Sequence, residues 1–146
     1  KCGTPMIWAT NFSVGVNVMF AVTDYMSRLL GQFGGYSPYM IEMHHCHKLD
    51  APSGTAITLA EGIIENMERK TSWVNSATSE ASVIEIESLR EGMVPGIHTV
   101  TYTSPDDVLE LKHSITNRRA LAFGAVLAGE FLAGKAGVYG MDDLLR

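Results

Sequence analysis

The stretch from residue 42 to residue 55 concentrates the side chains of this sequence that could do chemistry. It reads E-M-H-H-C-H-K-L-D-A-P-S-G-T and holds three of the five histidines of the 146-residue chain. A histidine gains or loses a proton near neutral pH, so His44, His45 and His47 are candidates for proton transfer. Lys48 adds a positive charge and, if desolvated, a second proton donor.

The same stretch ends where a helix is predicted to begin. Ser53, Gly54 and Thr55 precede apolar residues that are spaced for one helix face. The free N–H groups and the positive dipole end of a helix start favour the binding of carboxylate or phosphate. Gly54 would let a ligand approach the backbone closely, and Thr55 adds a hydroxyl donor. The pattern therefore favours acid–base chemistry on an anionic substrate.

Two other interpretations use the same residues. Histidine and Cys46 are competent zinc ligands, but neighbours in an extended segment point to opposite faces and rarely bind one ion together. No second cluster supplies the remaining ligands, although folding could bring His98 and His113 close, so we expect no metal site. In the plainer interpretation Ser53 only caps the helix, Gly54 eases the turn and the histidines are solvated. We expect His98 and His113 to be structural.

The remaining sequence indicates the elements that must position these residues. Helical spacing of apolar residues predicts three helices, at 13–30, at 56–67 and from 118 onward. Runs of β-branched residues predict four strands, at 39–43, 82–90, 97–103 and 108–116. The segment between Met67 and Val83 is expected to be a connection. We predict an α+β fold, with a four-stranded, mostly antiparallel or mixed sheet and helices on one face.

Composition excludes several classes of function. A formal net charge of −5 argues against nucleic acid or an anionic membrane as a partner. The most apolar run, 120–133, contains Glu130 and is shorter than the roughly 20 residues that cross a membrane. Two cysteines cannot form a disulfide scaffold, so we expect a cytoplasmic protein. Because the final helix is apolar nearly all round, we expect it to pack against another domain or subunit.

Four segments resemble the dihydrodipicolinate reductase (4-hydroxy-tetrahydrodipicolinate reductase) family. Residues 42–56 match its signature E-x-H-H-x-x-K-x-D-A-P-S-G-T-A, and residues 11–17 are similar to its N-F-S-x-G-V-N. Its pattern S-x-R-x-G-x-x-x-G-x-H is matched by Ser88, Arg90, Gly92, Gly96 and His98. Residues 134–145 resemble its C-terminal end. The resemblance covers nearly the whole chain.

The resemblance implies a reductase of lysine and diaminopimelate biosynthesis. It would transfer hydride from NADPH or NADH to a cyclic unsaturated dicarboxylate, as a homotetramer. The implied catalytic residues, which exchange protons with the substrate, are His44 and Lys48. The implied substrate-binding residues are His45, Gly54 and Thr55. The implied cofactor-binding residues are Ala9, Thr10, Asn11, Phe12 and Arg118.

The family's dinucleotide-binding half has no counterpart in this sequence. No G-x-G-x-x-G turn follows a predicted strand. We therefore expect residues 1–12 to end a Rossmann-type dinucleotide-binding domain and residues 13–117 to form a substrate-binding and oligomerisation domain. Residues 118–146 would return to the dinucleotide-binding domain. The chain would then be a fragment that is inactive alone; the alternative is a stand-alone dicarboxylate-binding or assembly module without catalysis.

Overall fold

The computed structural model describes residues 3–146, so the first two residues of the predicted segment 1–12 lie outside the described residues. Its helices are α1 (Val14–Leu30), α2 (Gly54–Asn66), α3 (Arg119–Phe131) and α4 (Met141–Leu145). Its strands are β1 (Met6–Ile7), β2 (Ser37–His44), β3 (Ser72–Val74), β4 (Val83–Arg90), β5 (Ile97–Thr103), β6 (Val108–Ser114) and β7 (Val138–Tyr139). These elements confirm the predicted α+β class.

A mixed five-stranded sheet forms the centre of the fold, in the order β3-β4-β2-β5-β6. Strand β2 is parallel to β4 and antiparallel to β5, and β5 is antiparallel to β6. The prediction of four strands was wrong, because β3 adds a three-residue edge strand in the expected connection. A strand this short is below the length at which alternation is detectable.

The short link between β4 and β5 favours an antiparallel pair of these two strands, but β2 lies between them. Helix α2 follows β2 in the chain and precedes β4, so it serves as the crossover that parallel strands require. Alternation along a strand indicates which face is buried, but not which strand lies alongside.

The main core lies between this sheet and the helices α1 and α2. Along β2 every second residue is buried, including Met40, Glu42 and His44. Helix α2 contributes Leu59, Ala60 and Ile63 to the same cluster of buried side chains. The helices therefore cover one sheet face, as predicted, and the same alternation places two polar residues, Glu42 and His44, on that covered face.

The two ends of the chain meet in a separate, two-stranded parallel sheet of β1 and β7. Helix α3 lies beside it and buries only its small residues Gly124 and Ala128, whereas Phe123 and Val126 remain 61% and 59% exposed. A Cβ at Gly124 would collide with the carbonyl oxygen of Phe12. Small residues therefore bring α3 close to the segment that precedes α1. None of the helices described is long and apolar enough to span a membrane.

A truncation in this core should destabilise the chain strongly. Leu59 is 1% exposed and Leu49 is 98% exposed, so the same leucine-to-alanine change samples the two extremes. Leu59→Ala should lower the free energy of unfolding by about 2–5 kcal/mol, because it removes buried methyl groups and leaves a cavity. Leu49→Ala should change it by less than about 0.5 kcal/mol. Urea unfolding of both variants measures the difference, and equal losses would contradict this assignment of the core.

Candidate active site

A cleft of about 590 Å³ opens at the end of β2 and the start of α2. Every predicted site residue except Ala9 lines it: Thr10, Asn11, Phe12, His44, His45, Lys48, Gly54, Thr55 and Arg118. Ala9 instead lines a neighbouring cleft between α1, α2 and α4. The structure thus brings into one cleft nearly all the residues that the sequence singled out, from three separate segments.

His44 is anchored to a buried carboxylate two residues earlier on β2. Its Nδ1 is hydrogen-bonded to Glu42, which is fully buried. Arg90 of β4 donates from its guanidinium to the other Glu42 oxygen at 2.9 Å. Burial opposes ionisation of Glu42, but the hydrogen bonds from His44 and Arg90 outweigh it and lower the pKa of Glu42 to about 2. The carboxylate is therefore charged at neutral pH.

A second buried imidazole, that of His98, packs edge-on against His44 with 5.1 Å between ring centroids. His98 pairs with Glu42 in the register of β2 and β5, and its Nε2 lies 3.0 Å from the hydroxyl of Ser53. Burial, together with the neighbouring His44, lowers the pKa of His98 to about 3. His98 is therefore neutral near pH 7, and it also lines the cleft. Its expected structural role stays a prediction.

Ser53 has the capping role that the plainer interpretation gave it. Its hydroxyl accepts a hydrogen bond from the N–H of Ala56 at the start of α2. The N–H groups of Gly54 and Thr55 belong to the same first turn, where no intrahelical acceptor exists. Both residues border the cleft, and a Cβ at Gly54 would meet open space. The helix start is therefore positioned to receive an anion, in addition to being capped.

Lys48 lies on the loop between β2 and α2 and forms an ion pair with Asp50. Its Nζ donates to both carboxylate oxygens, at 2.8 and 2.9 Å. The hydrogen bond from Lys48 lowers the pKa of Asp50. Arg90 also donates to the backbone carbonyl of Asp50, at 2.6 Å. Arg90 therefore touches both the loop that carries Lys48 and the carboxylate that holds His44.

The segment before α1 is bonded directly to α2. The Asn11 amide donates to the Thr55 hydroxyl at 3.2 Å, and the hydroxyls of Thr10 and Thr58 lie 3.1 Å apart. Asn11 also accepts from the N–H of Ser13, which is the N-cap residue of α1. The predicted cofactor segment and the predicted substrate-binding helix start are therefore one connected structure.

His45 and Arg118 face each other across the opening of the cleft. An Arg118 nitrogen lies 3.3 Å from the Nε2 of His45. Partial desolvation and the positive charge of Arg118 lower the pKa of His45. The positive charge of Arg118 beside His45 suits contact with an anion.

Within residues 3–146, one cluster of side chains has the geometry of a cation site. It differs from the run of histidines and Cys46 at residues 44–47 that the sequence suggested as zinc ligands. Ligand atoms of Glu42, His44 and His98 all lie within 4.8 Å of one another. The Glu42 oxygens already bind the Arg90 guanidinium and the His44 ring, and Ser53 engages His98. A cation would have to displace these partners and sit beside a fixed positive charge, so the residues present do not fit a metal.

Sequence reasoning left out Glu42, Arg90 and Gly96 as site residues, although all three fall in the quoted signatures. A Cβ at Gly96 would lie 3.2 Å from the Nε2 of His44, so glycine leaves room for the ring. The two-residue spacing of Glu42 and His44 was a usable signal, because such residues share one strand face. The contact with Arg90 depends on strand order, for which the sequence contained only an indirect signal, the helix predicted between the two strands.

Comparison with known proteins identifies the family. The family model described as "Dihydrodipicolinate reductase, C-terminus" matches residues 15–145. The chain belongs to this family. The resemblance to this family is thereby confirmed. It applies to the C-terminal part of the family's proteins, which is the part that the family model covers.

Relatives named 4-hydroxy-tetrahydrodipicolinate reductase are similar along nearly the whole chain. The protein of Christiangramia forsetii is 43% identical over 145 residues, which cover 99% of this chain and 60% of the relative. The protein of Akkermansia muciniphila is 42% identical, with 97% of this chain and 60% of the relative covered. The chain therefore spans about three fifths of the length of these dihydrodipicolinate reductase relatives.

A solved structure shares the fold. It is a dipicolinate-bound dihydrodipicolinate reductase from Paenisporosarcina sp. TG-14, with a TM-score of 0.71 and 25% sequence identity. The match covers 94% of this chain and 53% of that protein. The α+β architecture described above is thus the architecture of a dihydrodipicolinate reductase segment.

The buried histidine predicts a measurable acid sensitivity. Because the pKa of His98 falls from its ordinary 6.5 to about 3 on folding, the unfolded chain binds a proton there between these pH values and the folded chain does not. The free energy of unfolding should therefore decrease as the pH is lowered through this window. Glu42 adds a loss between its ordinary pKa of 4.5 and its folded pKa of about 2.

Replacing His98 by Asn should remove the first of these contributions. The slope of the unfolding free energy against pH should decrease by about 0.7 kcal/mol per pH unit at pH 6.5 and by about 1.4 near pH 4.5, where the difference reaches one proton. Urea unfolding at several pH values measures this slope. His47→Asn, at an exposed position on the neighbouring loop, is the control. An unchanged slope in His98→Asn would contradict a buried neutral imidazole.

Proposed function

We propose that this chain is the substrate-binding part of a 4-hydroxy-tetrahydrodipicolinate reductase of lysine and diaminopimelate biosynthesis. The enzyme would transfer hydride from NADPH or NADH to a cyclic unsaturated dicarboxylate. The observation that carries the proposal is a single cleft that joins a carboxylate-bonded imidazole, His44, to Lys48 and to the start of α2. These are a proton carrier, a cation and an anion receptor.

Each end of a small dicarboxylate has a partner in this cleft. One carboxylate would accept hydrogen bonds from the N–H groups of Gly54 and Thr55 at the positive end of α2. The neutral His45 ring beside Arg118 would contact the other part of the substrate. His44 would exchange a proton with the ring through Nε2, since Nδ1 is occupied by Glu42, and Lys48 would donate a proton.

The cofactor would bind at the side of the cleft that the segment before α1 forms. Thr10, Asn11 and Phe12 line that side, and the bond between Asn11 and Thr55 joins it to the substrate side. These residues would hold the nicotinamide end of NADPH or NADH, which supplies the hydride when bound. Arg118 at the start of α3 would lie close to the same group.

The proposal includes the assembly implied by the family resemblance. The face of the sheet opposite α1 and α2 carries Tyr39, which is 37% exposed, and Val108, which is 61% exposed. Association of these faces in a homotetramer would cover them, and the exposed apolar residues of α3 would pack on a Rossmann-type domain. The acidic composition and the scarcity of cysteine favour the cytoplasm as the site of the reaction.

Binding of dipicolinate to the purified chain tests the substrate site directly. Calorimetry should detect binding, and Lys48→Ala should weaken it roughly 10-fold or more, because a cation at the cleft is lost. Lys112→Ala removes an exposed lysine of β6 and should leave affinity unchanged. Absence of binding to the wild-type chain, or equal affinities in both variants, would contradict a dicarboxylate site at this cleft.

Activity requires the segment of the relatives that this chain does not match. A chimaera in which this chain replaces the matched part of the Christiangramia forsetii protein should reduce 4-hydroxy-tetrahydrodipicolinate, while the chain alone should have negligible activity. In the chimaera His44→Ala should lower kcat roughly 100-fold or more, the contribution of a positioned acid–base group. His47→Ala, nearby and exposed, is the control. An inactive but folded and dipicolinate-binding chimaera would favour the stand-alone binding module.

A further inference from the structure

We propose that Glu42 is the positioning residue for His44, and that Arg90 holds its carboxylate in place and joins it to the loop that carries Lys48. This inference rests on the proposed function for its kinetic consequence, but its structural part concerns the chain alone. It starts from the position of Glu42, a fully buried carboxylate with one oxygen toward His44 and the other toward Arg90.

The carboxylate determines which nitrogen of His44 carries the proton. An ionised carboxylate only accepts hydrogen bonds, so the Nδ1 that faces it must bear hydrogen. The pKa of Glu42 is lowered to about 2, so the carboxylate is ionised throughout the neutral range. In the neutral imidazole Nε2 is then the unprotonated nitrogen. This is the tautomer that can take a proton from, and return it to, a group in the cleft.

Neighbouring groups hold the ring in this orientation. The His98 ring packs on it at an interplanar angle of 71°, and the absence of a side chain at Gly96 leaves room beside its Nε2. A side chain at residue 96 would approach Nε2 to 3.2 Å. The ring is thus fixed by a charge at one nitrogen and by close packing at the other side, which is how a positioned acid–base group is kept ready.

Arg90 connects the supports of the two proposed catalytic residues. One of its terminal nitrogens donates both to Glu42 and to the carbonyl of Asp50, and the carboxylate of Asp50 binds Lys48. Two separate supports would let His44 and Lys48 move independently. A shared guanidinium instead fixes the distance between the strand end and the loop, because its donors have a rigid planar geometry.

Nitrogen NMR of the chain with labelled histidine rings tests the structural part. In the wild-type chain the neutral form of His44 should be predominantly the Nδ1–H tautomer. In Glu42→Gln this preference should be lost, because His44 and Arg90 face different oxygens of Glu42. Arg90 can only donate, so it takes the amide oxygen of Gln and leaves the NH2 group facing Nδ1 of His44, which favours an unprotonated Nδ1. Glu110→Gln, an exposed change on β6, should leave the His44 signals unchanged. A wild-type His44 that is mainly Nε2–H would overturn the proposal, even where Glu42→Gln fails to fold.

Kinetics of the chimaera test the functional part. Glu42→Gln should lower kcat on the order of 10- to 100-fold, the cost seen when a carboxylate that orients a metal-bound histidine is removed. KM for the dicarboxylate should change less than about twofold, since Glu42 is buried beneath the site and does not bind substrate. Arg90→Lys, which keeps the charge but loses the fork, should lower kcat by a smaller factor.

The two measurements separate this proposal from the function it rests on. A chimaera without activity, with the Nδ1–H tautomer present in the chain and lost in Glu42→Gln, would reject the proposed reaction and support the positioning of His44. An active chimaera in which Glu42→Gln has the kcat of Glu110→Gln would overturn the positioning role. A fall in kcat together with loss of the tautomer would support it.

Discussion

The carboxylate of Glu42 lies on the helix-covered face of the central strand, where it has no exposure to solvent and carries a negative charge. A buried charge is tolerated only with partners, and removing one partner of such a pair typically costs about 3–5 kcal/mol. The partners come from different places: His44 from the same strand, and Arg90 from its parallel neighbour. Strand β5 supplies His98 directly opposite Glu42 in the register. The charge therefore joins β2 to β4, and the register places His98 of β5 beside the same group.

This constraint also fixes the register of the sheet. A slip of β2 by one residue would turn Glu42 and His44 to the open face and bring Ile41 and Met43 to the helix side. The half-buried Arg90 would then lose its carboxylate partner. Apolar alternation alone would resist such a slip only weakly here, because Ile41 and Met43 are themselves apolar. The polar pair accordingly gives the sheet specificity as well as a functional imidazole.

The short connection after β2 places the rest of the site. Only nine residues, 45–53, separate the end of β2 from the start of α2. The chain must therefore turn back over the strand end at once, which sets Lys48 and the helix N-terminus beside His44. The cap from Ser53 and its contact with His98 fix the first turn of α2 on the same buried cluster. The proposed proton carrier, cation and anion receptor share one cleft because the loop is short.

Much of this site was predictable because its central residues are contiguous in the sequence. Segment 42–56 indicated His44, Lys48 and Thr55 together, whatever the strand order. The partnership of Glu42 with Arg90 was not predictable in the same way, because these residues meet only if β2 and β4 are neighbours. The sequence contained one hint of that pairing, since a helix between two strands favours a parallel crossover. The edge strand β3 left no such hint, because three residues give no alternation.

The cleft is completed from both ends of the described chain, and this explains the composition of α3. This apolar helix is not buried on all sides in the described chain. The buried residues of α3 are the small residues Gly124 and Ala128. Gly124 admits the carbonyl of Phe12, so α3 presses on the segment whose Asn11 holds Thr55. A side chain at residue 124 would push this segment away and disturb the start of α2. The small residues of α3 thus serve the geometry of the cleft, while its apolar residues Phe123 and Val126 remain exposed.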